Sequence, residues 1–338
     1  MLIYVFQRMA ARAILAAIVA TTAFNAHADD FFAGKQVRII VGAGPGTGYD
    51  LFARVLANHW NKQIPGAPSL IVSHMPGAGS LLAANYLANV APRDGTIIGA
   101  LNPGIVDQAV LFPDQAKYDA KKFGWIGSIL RETQVAVVWH TAAVTKFDDV
   151  FQKEMILAVS GGGTEIYPKL MNGLLGTKFK LVPGYKSSFD AFLAMERREA
   201  DGQGAVTLAA IRGGQTTNFR DGKLIIFAQL GLKKHPELPN TPLVLDYAKS
   251  QAERTALLLM LARQEFGRPF ATPQDVPAER LVILRRAFDA TMKDAGFLAE
   301  IKQRDLDIDP TSGEEIDEMV AQIISAPKDV VDRVRSLL

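Results

Sequence analysis

The sequence predicts an α/β fold in two domains, and three observations carry that prediction. From Val37 onward, short β-rich runs alternate with stretches whose apolar residues recur at helical spacing. The chain has 338 residues, more than a single hydrophobic core usually organises. It contains no cysteine, so its stability must come from cores and not from disulfides.

The first element is a leader. In MLIYVFQRMAARAILAAIVATTAFNAHADD, Arg8 and Arg12 form a basic start. The apolar run from Ala13 to Phe24 is too short to span a bilayer as a helix, and Ala26-His27-Ala28 has the small-x-small form of a cleavage site. The expectation is a signal peptide over residues 1–28, removed after Ala28, and a periplasmic mature protein; a retained membrane anchor is the alternative. Without that segment Lys plus Arg falls from 37 to 35, equal to the 35 acidic residues. Neutrality removes the electrostatic case for a nucleic-acid or anionic-membrane partner. No later segment reaches 18 consecutive apolar residues.

VRIIV, SLIVSHM and TIIGAL read as strands, with DLFARVLANHWNKQ and LLAANYLANVA as the helices between them. A second set follows: strands WIGSIL, TQVAVVWH, MILAVSG, FKLVPG, GQGAVT and KLIIFAQL, with helices over 165–175, 187–198 and 208–217. Beyond KKHPELPNTPLV the pattern is helical over 253–263, 278–294, 313–325 and after Pro327. Pro277 and Pro327 stand at expected helix starts, and Ser312 to Glu315 has capping-box spacing. A helical tail with little strand packs most readily on the first sheet. The expected division is a first lobe over 29–130, a second over 131–250, and a return of 251–338 to the first. A cleft between lobes of that kind is a favoured ligand site.

The strand-to-helix junction GAGPGTGYD is glycine-rich but is not a dinucleotide fingerprint. Gly42 and Gly44 are followed by Thr47 where the third glycine belongs, and the next strand ends without an acidic residue. No Gly-Lys-Ser/Thr follows, which excludes a P-loop. Two readings stand: an anion site on the unsatisfied amides of a helix start, or a tight turn with Asp50 at the first helical turn. The stretch HMPGAGSLLAANYL repeats strand, Pro76-Gly77-Ala78-Gly79 and helix, and two such starts at one sheet edge favour the anion site.

Taken in order, VRIIVGAGPGTGYDLFARVLA, HMPGAGSLLAANYLANVAPRDGTIIGAL, AVSGGGTEIYPKLMNGLLGTKFKLVPGYKSS, LKKHPELPNTPLVLD and ATPQDVPAERLVILRRAFDATMKD resemble the Bug (TctC-like) family of periplasmic solute receptors, which serve tripartite tricarboxylate transporters. The resemblance covers roughly residues 34–326. It implies a two-lobed Venus-flytrap binding protein without catalysis, monomeric and without a cofactor, whose first-lobe loops hold a ligand carboxylate. The family's P-G-G-S-T-D loop falls on Pro45, Gly46, Thr47, Gly48, Tyr49 and Asp50. Its R-P-G-A-G-G loop falls on Met75, Pro76, Gly77, Ala78, Gly79 and Ser80, and its G-T-S-G loop on Ala100 to Gly104, with Asn102 near the usual hydroxyl.

Thr47, Gly48 and Tyr49 replace a small trio and Met75 replaces an arginine, so the ligand class widens from di- and tricarboxylates to aromatic acids. Tyr49 either faces the ligand or packs beneath its loop. In the second lobe Gly161, Gly162, Gly163 and Thr164 open a helix, and Tyr185, Lys186 and Ser187 precede another. Lys186 is either a ligand cation or a solvated lysine. Gln134 lies near the expected hinge, and Glu132 there either binds a ligand amine or joins a salt bridge with Arg131 or a neighbour.

Enzyme signals are poor. There is no G-x-S-x-G, no H-E-x-x-H and no thiol, and the five histidines are scattered. No metal site is expected. Partners are a small organic acid and transporter membrane subunits; a receptor docking on a membrane signalling partner is the alternative, with a periplasmic hydrolase behind it.

Overall fold

The computed structural model describes residues 31–338, so the leader expected over residues 1–28 lies outside the described residues. The strands are β1 (Gln36–Val41), β2 (Ser69–His74), β3 (Ile97–Ala100), β4 (Gly124–Ser128), β5 (Gln134–Trp139), β6 (Met155–Val159), β7 (Phe179–Pro183), β8 (Gly202–Thr207), β9 (Leu224–Leu230), β10 (Pro269–Thr272) and the two-residue β11 (Thr311–Ser312). The backbone separates into two α/β units. One runs through Leu101 and includes Lys122–Gly127 and Phe270–Leu306; the other comprises Asn102–Lys121, Ser128–Pro269 and Asp307–Leu338. Among the described residues no helix is long and apolar enough to cross a membrane.

In the first unit the strands lie in the order β4-β10-β3-β1-β2. β1 pairs in parallel with β2 on one side and β3 on the other, with Val41 opposite both His74 and Ala100. The chain therefore reverses its direction of travel across the sheet at β1. In open α/β sheets that switch point, at the carboxyl ends of the strands, is where ligands bind. β10 adds antiparallel to β3. The Gly48–Trp60 helix covers the sheet because Phe52, Val55, Leu56 and Trp60 fall on one face and are all buried. Trp60 meets Phe270 and Phe288 edge-on, with ring centroids 6.2 and 6.0 Å away. Burying each such side chain contributes about 1.5–3 kcal/mol.

The second unit repeats the topology. Its order is β7-β6-β8-β5-β9, with β6 parallel to both β7 and β8, so the switch point falls beside β6. β5 then pairs antiparallel with β8 and β9. That geometry brings Gln134, the first residue of β5, opposite Thr207 at the carboxyl end of β8. The core on one face joins Val135, Val137, Phe192, Met195, Val206 and Ile211.

Helix ends follow sequence signals. Ser312 and Glu315 form the expected capping box, and Ser250 and Glu253 form a second. Pro277 and Pro327 each precede the first turn of a helix, Ala278–Thr291 and Lys328–Leu337. The 165–175 segment is a Gly163–Leu170 helix continued by a π turn over Met171–Leu175. Helices Gly104–Leu111 and Ala295–Gln303 carry no strong sequence signal and were not anticipated.

Candidate functional site

The two glycine loops of the first unit leave the carboxyl ends of neighbouring parallel strands and are tied to each other. Asp50, 5% exposed, is the knot. Its Oδ2 accepts from the Gly46 amide at 2.9 Å, while Oδ1 accepts from His74 Nε2 and from Arg54 Nε, each at 2.8 Å. A carboxylate only accepts, so Nε2 of His74 carries the proton. Burial raises the Asp50 pKa, but the Gly46 amide, His74 and Arg54 outweigh it and hold the carboxyl below its ordinary range. Thr47, not Asp50, is the helix cap: its Oγ1 accepts from Asp50 N at 3.4 Å.

The second loop is strained. Gly77 has φ 149°, and Ala78, Gly79 and Ser80 follow at φ 46°, 62° and 76°. Two of these are not glycine, and left-handed backbone costs such residues about 1–2 kcal/mol each. The buried Ser80 hydroxyl donates to Gly42 O at 3.0 Å and pins the loop to the end of β1. Only glycine fits at 42, since a Cβ there would stand 2.3 Å from Ser80 Oγ. Strain of this kind gathers at binding sites, where surrounding structure over-determines it.

An anion needs donors, and the hydroxyl protons here are already engaged. Thr47 donates to Gly44 O at 2.8 Å, Ser80 to Gly42 O, Thr164 to Gly161 O at 2.7 Å and Ser187 to Asp190 Oδ2 at 2.9 Å. The Gly46 amide is taken by Asp50. The amides left without a partner among the described residues include Thr47, Gly48, Gly77 and Ala78 in the first unit, and Gly161, Gly162 and Gly163 in the second. Donors at helix starts and in left-handed turns suit a carboxylate. Tyr49 is half-buried at the start of the Gly48–Trp60 helix.

In the second unit Gly163 lies against the Gln134 carboxamide: a Cβ on it would be 3.0 Å from Oε1 and 3.4 Å from the Tyr167 ring. Tyr185 rests on Ala158, Ala191 and Ala200 beside the end of β6, which fixes its loop. Lys186 is exposed and forms no ion pair among the described residues, and Ser187 caps the Ser188–Glu196 helix. Asn102 Oδ1 accepts from Gly104 N at 2.8 Å, opening the Gly104–Leu111 helix. Glu132 pairs with Arg268 at 2.7 Å, whereas Arg131 stands 3.5 Å from Glu265 and from Asp309.

Sequence reasoning missed a buried network behind these loops. Arg263 donates from Nη1 to Asp107 Oδ2 at 2.9 Å and from Nε to the Tyr167 hydroxyl at 3.2 Å. Gln264 also donates to that hydroxyl, which in turn donates to Met260 O. Arg263 was hidden within a helical stretch, and nothing in its spacing marks it. Among the described residues no cluster of His, Cys, Asp and Glu has the arrangement of a metal site.

No family model matches the chain. A UPF0065 protein of Bordetella bronchiseptica is 22% identical over 287 residues, covering 83% of this chain and 80% of that protein. A TctC solute binding protein from Polaromonas superposes with a TM-score of 0.68 at 17% identity, over 88% of this chain and 98% of its own. The R. palustris protein Rpa4515, solved with adipate, gives 0.60 at 19% identity, over 89% and 97%. Over most of its length, the chain therefore has the α/β fold of TctC-type periplasmic solute-binding proteins.

Proposed function

We propose that this protein is an exported, periplasmic solute receptor that captures a small organic carboxylate for a tripartite tricarboxylate-type transporter. The observation that carries the reading is the pair of glycine loops at the carboxyl ends of β1 and β2, locked by Asp50–His74 and Ser80–Gly42, with the amides of Thr47, Gly48, Gly77 and Ala78 left open. The first unit's loops take one carboxylate on those amides. Within the second unit, Gln134 and the open amides of Gly161, Gly162 and Gly163 form a donor set of their own at the carboxyl end of its sheet. The adipate in a protein of this fold supports the ligand class. The ordered set of family motifs supports the transporter as partner.

A thermal-shift screen of residues 29–338 against mono-, di- and tricarboxylates, aromatic acids and acidic amino acids tests the reading. A ligand at 100 times its Kd adds about 2.7 kcal/mol of stability. A raised midpoint with an acid is the expected result, and its absence across the set rejects the carboxylate receptor. Co-purification of the acid-loaded protein with the transporter's membrane subunits tests the partner; capture of a membrane kinase instead would assign it to signalling.

A further inference from the structure

We infer that Arg263 is the ligand's ionic partner: a guanidinium held in place by Asp107 and Tyr167, which pairs with an ionised acidic group and so selects acids carrying more than one charge. The inference rests on the receptor reading and names the residue that sets its charge preference.

Position comes first. A Cβ on Gly104 would stand 3.2 Å from Arg263 Nη1 and 2.9 Å from Asn102 Oδ1, so the guanidinium lies at the loop that carries Asn102. On its other side Arg263 holds the hydroxyl of Tyr167, whose ring packs beside Gly163 and thus beside the Gln134 carboxamide. The guanidinium carbon lies 5.4 Å from the Tyr167 ring centroid. Gln264 Oε1 accepts from the Gln134 amide at 3.1 Å, and its Nε2 donates to Tyr167, which closes the network around the end of β5. The loop carrying Asn102 thus lies against the guanidinium, and Gln134 and Gly163 lie beside the Tyr167 ring whose hydroxyl it holds.

Availability comes next. Nε and Nη1 are engaged, and Nη2 makes no hydrogen bond among the described residues. The Arg263 side chain is 17% exposed, against 3% for Asp107. Asp107 Oδ1 is buried and has no hydrogen-bond partner among the described residues. Burial drives the Asp107 carboxyl up to about 7 against the pull of Arg263. Burial also opposes the charge of Arg263, but Tyr167 and Asp107 hold its pKa above the ordinary value. A buried ion pair with unmet capacity on both partners is weakly justified as a stabilising device. It is well suited to orienting a planar fork toward a carboxylate in a low-dielectric setting. The other cation among the candidate residues, Lys186, is exposed and solvated.

The test is isothermal titration calorimetry of residues 29–338 with succinate, glutarate, adipate, citrate and terephthalate, each diacid run beside its monoamide. Wild type binds at least one polyacid and binds its monoamide more weakly. Arg263→Gln lowers affinity for the polyacid by about 30-fold or more while leaving the monoamide within about threefold, and Arg263→Lys falls between, because it keeps the charge and loses the fork. Since Arg263→Gln strands a buried carboxylate, the double variant Asp107→Asn/Arg263→Gln replaces the ion pair with amides, and it loses the same discrimination. If a folded variant keeps the wild-type preference for the polyacid, or if wild type binds diacid and monoamide alike, Arg263 is not the ionic partner and the receptor reading stands. A wild type that binds none of these acids overturns the inference, and the receptor reading falls with it only if the monocarboxylates and acidic amino acids of the thermal-shift screen also fail.

Discussion

Replacing Asp50 by Asn isolates the charge that ties the two glycine loops. The carboxylate is buried and receives three hydrogen bonds, from the Gly46 amide, His74 and Arg54. Hydrogen bonds to a charged acceptor contribute about 1.5–3 kcal/mol each when well buried. Gly46 is exposed and His74 is 17% exposed, so these two sit at the low end; Arg54, 53% exposed, adds little. Asn keeps the shape and one acceptor, which leaves an expected loss of about 2–3 kcal/mol at pH 7. At about 2–4 °C per kcal/mol that is a midpoint lower by roughly 5–10 °C. The sign with pH follows from the depressed pKa of Asp50. A lowered carboxyl contributes stability that is full above its unfolded value, about 3.9, and is lost as pH falls through the folded value. Urea melts of both proteins at pH 7, 5 and 3 should therefore show a gap that is constant from 7 to 5 and narrows at 3. A gap that persists unchanged at pH 3, or no gap at pH 7, would show that the Asp50 charge does not hold the loops.

Two further variants probe the strained loop and the second sheet. Gly79→Val places a β-branched residue at φ 62° and should abolish acid binding while the far-ultraviolet circular dichroism stays native; wild-type affinity in a folded variant would remove the loop from the site. Gly202→Ala puts a Cβ 2.2 Å from Val137 O across the β5–β8 pairing, so it should destabilise the protein by about 1–3 kcal/mol in urea unfolding, and an unchanged midpoint would contradict that close approach.

The elements were largely legible because their signals are local. VRIIV, SLIVSH and IIGA show strand patterns, and the glycine junctions mark where each strand hands over to a helix. The capping box at Ser312 is a spacing of three residues and needs no tertiary knowledge. The site's inner construction was not legible. His74 read as an ordinary strand-end histidine and Asp50 as a helix-start acid, because their contact spans 24 residues and exists only once β1 and β2 pair. Ala78 and Ser80 carry no sign of left-handed backbone, since neither is a residue that prefers it. Thr47, Ser80, Thr164 and Ser187 stand out as ligand donors by their place in the glycine loops, but their protons are engaged within the protein, that of Ser80 by the end of β1 and the others within a few residues of their own position. The Arg263–Asp107 pair joins residues 156 apart, and burial alone reveals it.

The measurement that reaches the central claim most directly is an amide-resolved nuclear magnetic resonance titration of residues 29–338 with the acid that most raises the melting midpoint. A carboxylate held on backbone donors shifts the amide protons of Thr47, Gly48, Gly77 and Ala78 downfield and saturably. Saturable binding that leaves those amides unmoved and perturbs another part of the chain would contradict the account.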